Sequence, residues 1–301
     1  SAKDYLKLAY KREENIVIIF STGSLYIYGL NRAFELAQAA GFDGVEVLID
    51  ERWDTRQVDY LLKLSSEYGM PIYSLHNPFD SKNLDGWEKS PLDRLNRTLE
   101  MARFLSSSVV VFHLPHYQNV ACGRWLLNEL PAYQRNTEII IAVENMPHTR
   151  LLFGPLAIKF TKLRLHTVQL NTFWKLVTFP FSIPSIRLNK FKYLEKLLHL
   201  NFDTTHLGTG GFDILEAYER LKNKISHIHL SNYNLERDKE HCLPMDGVLP
   251  LDEFLQHLKK DNYRGAICVE VDPQALEAER EENVLRNMKE SLEFCRKYYG
   301  T

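Results

Sequence analysis

Short apolar runs rich in β-branched residues alternate along the chain with longer segments whose apolar positions recur at helical spacing. The runs are 16–21 (IVIIFS), 44–49 (GVEVLI), 71–76 (PIYSLH), 108–113 (SVVVFH), 138–145 (EIIIAVEN), 198–203 (LHLNFD), 225–231 (ISHIHLS) and 265–271 (GAICVEV). They are apolar almost throughout rather than alternating, the pattern of strands covered on both faces. Between them, 31–41 places Ala33, Phe34, Leu36, Ala37 and Ala40 along one face and stops at a glycine, as an amphipathic helix should. Segments 58–69, 92–105, 250–262 and 275–299 read the same way. Strand–helix units recurring at roughly 30 residues predict a (β/α)8 TIM barrel. An open doubly wound sheet is the alternative. It is disfavoured because eight comparable units fill the 301 residues without remainder, as one domain over 1–301.

One interval breaks the rhythm, a long basic insertion after strand five, over roughly 150–197. From Arg150 to Leu200 there are nine Lys/Arg residues and a single acid, Glu195. The formal net charge of the whole chain is −2, so the remainder is acidic and overall charge gives no support to a polyanion partner.

Hydrophobic residues make up 45% and charged residues 25%, the balance of a globular protein that folds without disulfides or structural metal. The four cysteines are scattered, with no Cys-x-x-Cys, which fits free thiols in a reducing compartment. The stretch SAKDYLKLAYKREEN has no apolar signal core. The most apolar long window, 168–186, is interrupted by Asn171, Lys175, Pro180 and Pro184 and makes a poor membrane span. A soluble, cytoplasmic protein with no membrane partner is expected.

In a TIM barrel the active site lies at the C-terminal ends of the strands. The third to eighth runs deliver His76, His113, Glu144, Asp203 (with His206 just beyond), His229 and Glu270 to that rim. Taken singly, each has a plain structural explanation, as a hydrogen-bonded histidine or a solvated carboxylate. Taken together they are only carboxylates and imidazoles, the ligand types of zinc, manganese and magnesium. Converging carboxylates repel, and burying them unpaired costs several kcal/mol each. A divalent metal cofactor removes that cost, and Asp203 is read as one of its ligands.

The motifs AGFDGVEV (40–47), HNPF, FHLP, VENMP, FDTTHLG, HIHLSN and VEVD, in that order, resemble those of the xylose isomerase-like TIM barrels. That superfamily joins sugar isomerases and epimerases to endonuclease IV-type enzymes. The resemblance implies a core metal site of Glu144, Asp203, His229 and Glu270. His76 and His113 match extra histidines of the endonuclease branch, where Glu144 would bridge two metals. His206 and His241 match positions that bind a further metal there, or contact substrate in the sugar branch. The endonuclease pattern wants an aspartate two residues before His241, where this chain has Lys239.

Three functions follow. The first is an isomerase or epimerase acting on a sugar, sugar phosphate or similar polyol through an enediolate. Glu144 and Glu270 would be its catalytic acid and base, and His206, His241, Asn145 and Asn232 would bind substrate. A dehydratase of the same superfamily needs the same chemistry. The second is a zinc-dependent abasic-site nuclease, for which the fuller histidine set and the basic insertion speak, making nucleic acid the alternative partner. The third is a barrel that keeps its metal without catalysis. The insertion is read first as a lid or a homo-oligomer contact. Glu46 is open between the barrel mouth and an internal salt bridge, Gly208 to Gly211 between a phosphate cradle and a turn. His116, His148, His227 and His257 match no family position and are expected on the surface or packed.

Overall fold

Each apolar run becomes a strand buried on both faces, and the strands close on one another. The computed structural model describes residues 16–79, 84–115, 119–147 and 189–300. The barrel strands are β1 (Ile18–Ser21), β2 (Val45–Leu48), β3 (Ile72–His76), β4 (Val109–His113), β5 (Ile140–Glu144), β6 (Leu200–Asp203), β7 (Ile225–Leu230) and β10 (Ala266–Val269). All neighbours are parallel, in the closed order β1-β10-β7-β6-β5-β4-β3-β2. Between β7 and β10 stands a feature the apolar pattern does not announce, the antiparallel hairpin β8 (Asn232–Asn234) and β9 (Lys239–Cys242).

The connecting helices are α1 (Leu30–Ala40), α2 (Val58–Tyr68), α3 (Pro91–Leu105), α4 (Val120–Asn128), α5 (Leu130–Gln134) and α6 (Phe191–Leu194). After β6 come α7 (Thr204–Thr209) and α8 (Ile214–Leu221), then α9 (Leu251–Lys260) and α10 (Glu281–Tyr299). At the end of α1, Gly41 takes a left-handed φ of 92° and its N–H satisfies the carbonyls of Ala37 and Gln38, a conformation that favours glycine. The last helix begins at Glu281, not near 275, because Glu277 takes a φ of 54° and the 272–280 segment folds into turns.

Strand side chains point alternately out and in. The outward set, including Phe20, Val110, Phe112, Val143, Phe202 and Ile228, joins the inner faces of the helices in one large core. Phe202 of β6 stacks on Phe254 of α9 at 5.4 Å. The inward apolar set is small: Val109, Val111 and Ala142, with Ile140 against them. The inside also holds fully buried Glu46, Ser74, Asn201 and His227, so a polar layer underlies the mouth. No helix among the described residues is long and apolar enough to cross a membrane. The insertion up to residue 188, His116 and His148 lie outside the described residues.

Candidate metal centre

Asp203 serves the fold and the site at once. It ends β6 and caps α7, its Oδ1 accepting the backbone N–H of His206 at 2.7 Å, the ordinary work of an N-cap aspartate. Its Oδ2 is buried without a hydrogen-bond partner. This oxygen faces His206 Nδ1 at 3.7 Å and His229 Nδ1 at 3.9 Å.

Glu144 ends β5 in register with His113 of β4. Its two oxygens face different imidazoles. Oε2 lies 3.1 Å from His113 Nε2 and 3.3 Å from His76 Nε2; Oε1 lies 3.2 Å from His206 Nδ1 and 3.6 Å from His229 Nδ1. His76 Nδ1 is 2.9 Å from the carbonyl of Asn77, which turns its Nε2 towards Glu144. On the far side, Glu270 follows β10 directly and brings Oε2 to 2.8 Å from His229 Nδ1.

Burial by itself would raise the pKa of each carboxyl and lower that of each imidazole. At Glu144 the surrounding imidazoles outweigh burial and hold the carboxyl well below its usual value. His229 does the same to Glu270, bringing it to about 2. Asp203 goes the other way, raised because burial outweighs its imidazoles. Carboxylates overcome burial at His206, pushed up to about 10 chiefly by Asp203, and at His229, held well above its usual value chiefly by Glu270. The imidazoles thus balance the charge of the carboxylates, a task a divalent cation at this point would take over.

The donor set fits such a cation. Metal bonds to oxygen and nitrogen run about 2.0–2.2 Å, so ligands of one ion lie within about 4.4 Å of each other, a few tenths of an ångström inside the spacing found here. One donor atom each from Glu144, Asp203, His229 and Glu270 lies within 4.8 Å of all the others. Glu144 Oε2, Asp203 Oδ2 and His229 Nδ1 are buried without an aligned hydrogen bond. Four further groupings share residues with this one: His76 with His113 and Glu144, Asp203 with His206 and His241, His76 with His229 and Glu270, and, one layer down, Glu46 with His227, His229 and Cys268. His241 sits on β9 with a φ of 50° and its ring 5.3 Å from that of His206. Lys239 is exposed and reaches Gln274 Oε1 at 2.7 Å, so it adds nothing to the site.

Two expected substrate-binding groups do other work. Asn145 is tied through both ends of its amide to the backbone of Asp203, at 2.9 Å each. Asn232 donates to the carbonyl of Pro244 and accepts from the N–H groups of Tyr233 and Leu249. Through these bonds the two residues hold Asp203 and the 244–249 loop in place. Gly208 lies within α7 and Gly210 and Gly211 form the turn after it, with Gly208 packed where an added Cβ would meet Leu249 at 2.8 Å.

Of the two readings of Glu46, the internal salt bridge is the one found. Glu46 is completely buried. Oε2 meets Ser74 Oγ at 2.7 Å and His227 Nε2 at 2.9 Å, while Oε1 lies 3.0 Å from His229 Nε2. Burial would raise its pKa, but His229 and His227 hold it well below the usual value. The sequence carried a signal for this: a glutamate flanked by valines inside a buried strand needs a partner, and His227 shares a face with His229 at a spacing of two. A cavity of about 740 Å³ lies elsewhere, between the 244–249 loop and α10, and holds none of the clustered ligands.

The profile of the xylose isomerase-like TIM barrel family matches residues 34–298. Among curated relatives, a Mycobacterium leprae protein (Uncharacterized protein ML2432) is 26% identical over 285 residues, covering 94% of this chain and 98% of its own. An inosose dehydratase of Mesomycoplasma hyopneumoniae is 27% identical over 289 residues, covering 87% of this chain and 86% of its own. Among solved structures, a D-tagatose 3-epimerase-like protein superposes with a TM-score of 0.60 at 20% identity, over 94% of this chain and 97% of that one. The 3-keto-D-glucoside 4-epimerase YcjR of E. coli gives 0.59 at 16% identity, over 94% and 100%. At those identities the likeness to solved structures speaks for the fold alone.

Proposed function

The chain belongs to the xylose isomerase-like TIM barrel family, and we propose that it is a divalent-metal-dependent isomerase or epimerase of a sugar, sugar phosphate or similar polyol. The observation that carries this reading is the convergence of Glu144, Asp203, His229 and Glu270 on one point at the barrel mouth. A zinc, manganese or magnesium ion held by those four would supply positive charge where a substrate carbonyl becomes an enediolate. The remaining work falls to side chains. His229 holds the pKa of the Glu270 carboxyl low, and the Glu270 side chain is 16% exposed, against 1% for Glu144. Glu270 is therefore the better placed to take a proton from the carbon beside the carbonyl, and Glu144, enclosed by imidazoles, serves first as a ligand. His206 and His241, stacked edge to face beyond Asp203, orient substrate oxygens and return the proton.

A dehydratase begins with the same proton abstraction, and the relative named inosose dehydratase supports keeping that outcome beside the isomerase. One observation favours a different reading. Glu144 turns one oxygen to His76 and His113 and the other to His206 and His229, as a carboxylate bridging two zinc ions in a phosphodiesterase would.

The deciding experiment incubates the metal-loaded protein in heavy water with a panel of ketoses, ketose phosphates and inososes. Deuterium appearing at the carbon next to the carbonyl, read by NMR, is the expected result for isomerase and dehydratase alike, and the product separates them. No exchange with any of them, together with cleavage of an abasic-site oligonucleotide, would replace this proposal with the nuclease.

A further inference from the structure

Beneath the metal-ligating rim lies a second layer that the proposed chemistry does not use. Glu46 of β2, Ser74 of β3 and His227 of β7 are all completely buried. They are strand-interior positions, where an ionised carboxylate is tolerated only with partners. The partners are unequally shared. Glu46 Oε2 takes the hydroxyl of Ser74 at 2.7 Å and His227 Nε2 at 2.9 Å. Glu46 Oε1 has no hydrogen bond of its own among the described residues. The ring that stands beside it is that of His229, whose Nε2, likewise without an aligned hydrogen bond, approaches as an ion-pair partner at 3.0 Å.

An imidazole has two nitrogens, and the partner of one decides what the other can do. In His229 the Nε2 edge faces Glu46, while the Nδ1 edge faces Glu144, Asp203 and Glu270 at 3.6, 3.9 and 2.8 Å. A carboxylate beside Nε2 favours the proton there and leaves the Nδ1 lone pair for a cation. Ser74 and His227 fix the carboxylate from below, so its free oxygen has one direction left to point.

Building on the metal centre proposed above, we infer that Glu46, clamped by Ser74 and His227, is a positioning residue that commits His229 to bind metal through Nδ1. Glu46 touches neither substrate nor metal; it acts through the ring. The carboxylate beside Nε2 also makes Nδ1 a stronger donor. Partners of this kind are worth about 10–100-fold in metal affinity.

The test is zinc affinity of the full chain, measured by competition with a chromogenic chelator, alongside the melting temperature of the metal-free protein. Glu46→Gln is expected to weaken zinc binding about 10–100-fold, and Glu46→Asp, which keeps the charge, to recover part of the loss. Should Glu46→Gln not fold, the double variant Glu46→Leu/His227→Leu removes the buried pair together, a change such sites often tolerate; the same loss of affinity is expected. A purely structural role would lower the melting temperature and leave the affinity untouched. A folded Glu46 variant that binds zinc like the wild type overturns the inference and spares the metal centre. A wild-type chain that takes up no zinc overturns both.

Discussion

Glu144 and His113 are register partners across β5 and β4, and the carboxylate Oε2 lies 3.1 Å from the imidazole Nε2. Because each residue is the last of its strand, the pairing places two metal-ligand types side by side at the barrel mouth with no loop between them. Glu144→Gln keeps the shape and removes the charge that faces four imidazoles. Bound metal should weaken, and turnover should fall by at least about 100-fold, since residues that merely support a ligand are worth about 10–100-fold. Metal content after dialysis and initial rates check this; full retention of both would remove the proposed site.

Metal stoichiometry separates the readings. One zinc, manganese or magnesium per chain is expected after dialysis, and chelation should take the activity away with it. Two or three zincs per chain would mean that His76, His113, His206 and His241 are engaged. Elemental analysis of the dialysed protein makes the distinction.

The eight strands and the carboxylates and imidazoles gathered at their ends were legible because a strand covered on both faces must be apolar, and a titratable residue at its end stands out. The layer beneath was less so. Glu46 reads as one polar residue in an apolar strand, and its partner His227 is far away in sequence. The main-chain bonds of Asn145 and Asn232 were not legible either: in sequence, an amide that holds backbone looks the same as one that faces substrate. Hairpin β8–β9 escaped notice because its residues are short in number and mostly polar.

Gly247 is the point where the hairpin's support can be tested. A Cβ there would meet Asn232 Oδ1 at 2.2 Å and the carbonyl of Tyr233 at 2.6 Å. Gly247→Ala should cost about 1–3 kcal/mol, the scale of overpacking. Chemical denaturation read by circular dichroism measures it, and an unchanged midpoint would show that Asn232 has room to move.

Stability should also fall in mild acid through His199, whose Nδ1 meets Ser226 Oγ at 2.7 Å. Burial first, and Lys224 second, lower its pKa from 6.5. The unfolded chain therefore binds the proton more readily than the folded one. The stabilising difference is complete above 6.5 and is lost as pH drops through the folded value. His199→Asn keeps a polar atom near Ser226 and removes the titration. The difference in unfolding free energy between wild type and variant should shift across that window. A pH-independent difference would contradict the assignment.

The barrel closes by pairing β1 with β10, its first strand with the last one made. Glu270 stands one residue beyond β10. On the ribosome, then, the proposed ligand set stays one carboxylate short until β10 is synthesised. If the proposed metal centre holds, its loading would be postponed until the ring of strands is complete, and a nascent or truncated chain ending before residue 270 would offer an incomplete trap for any ion.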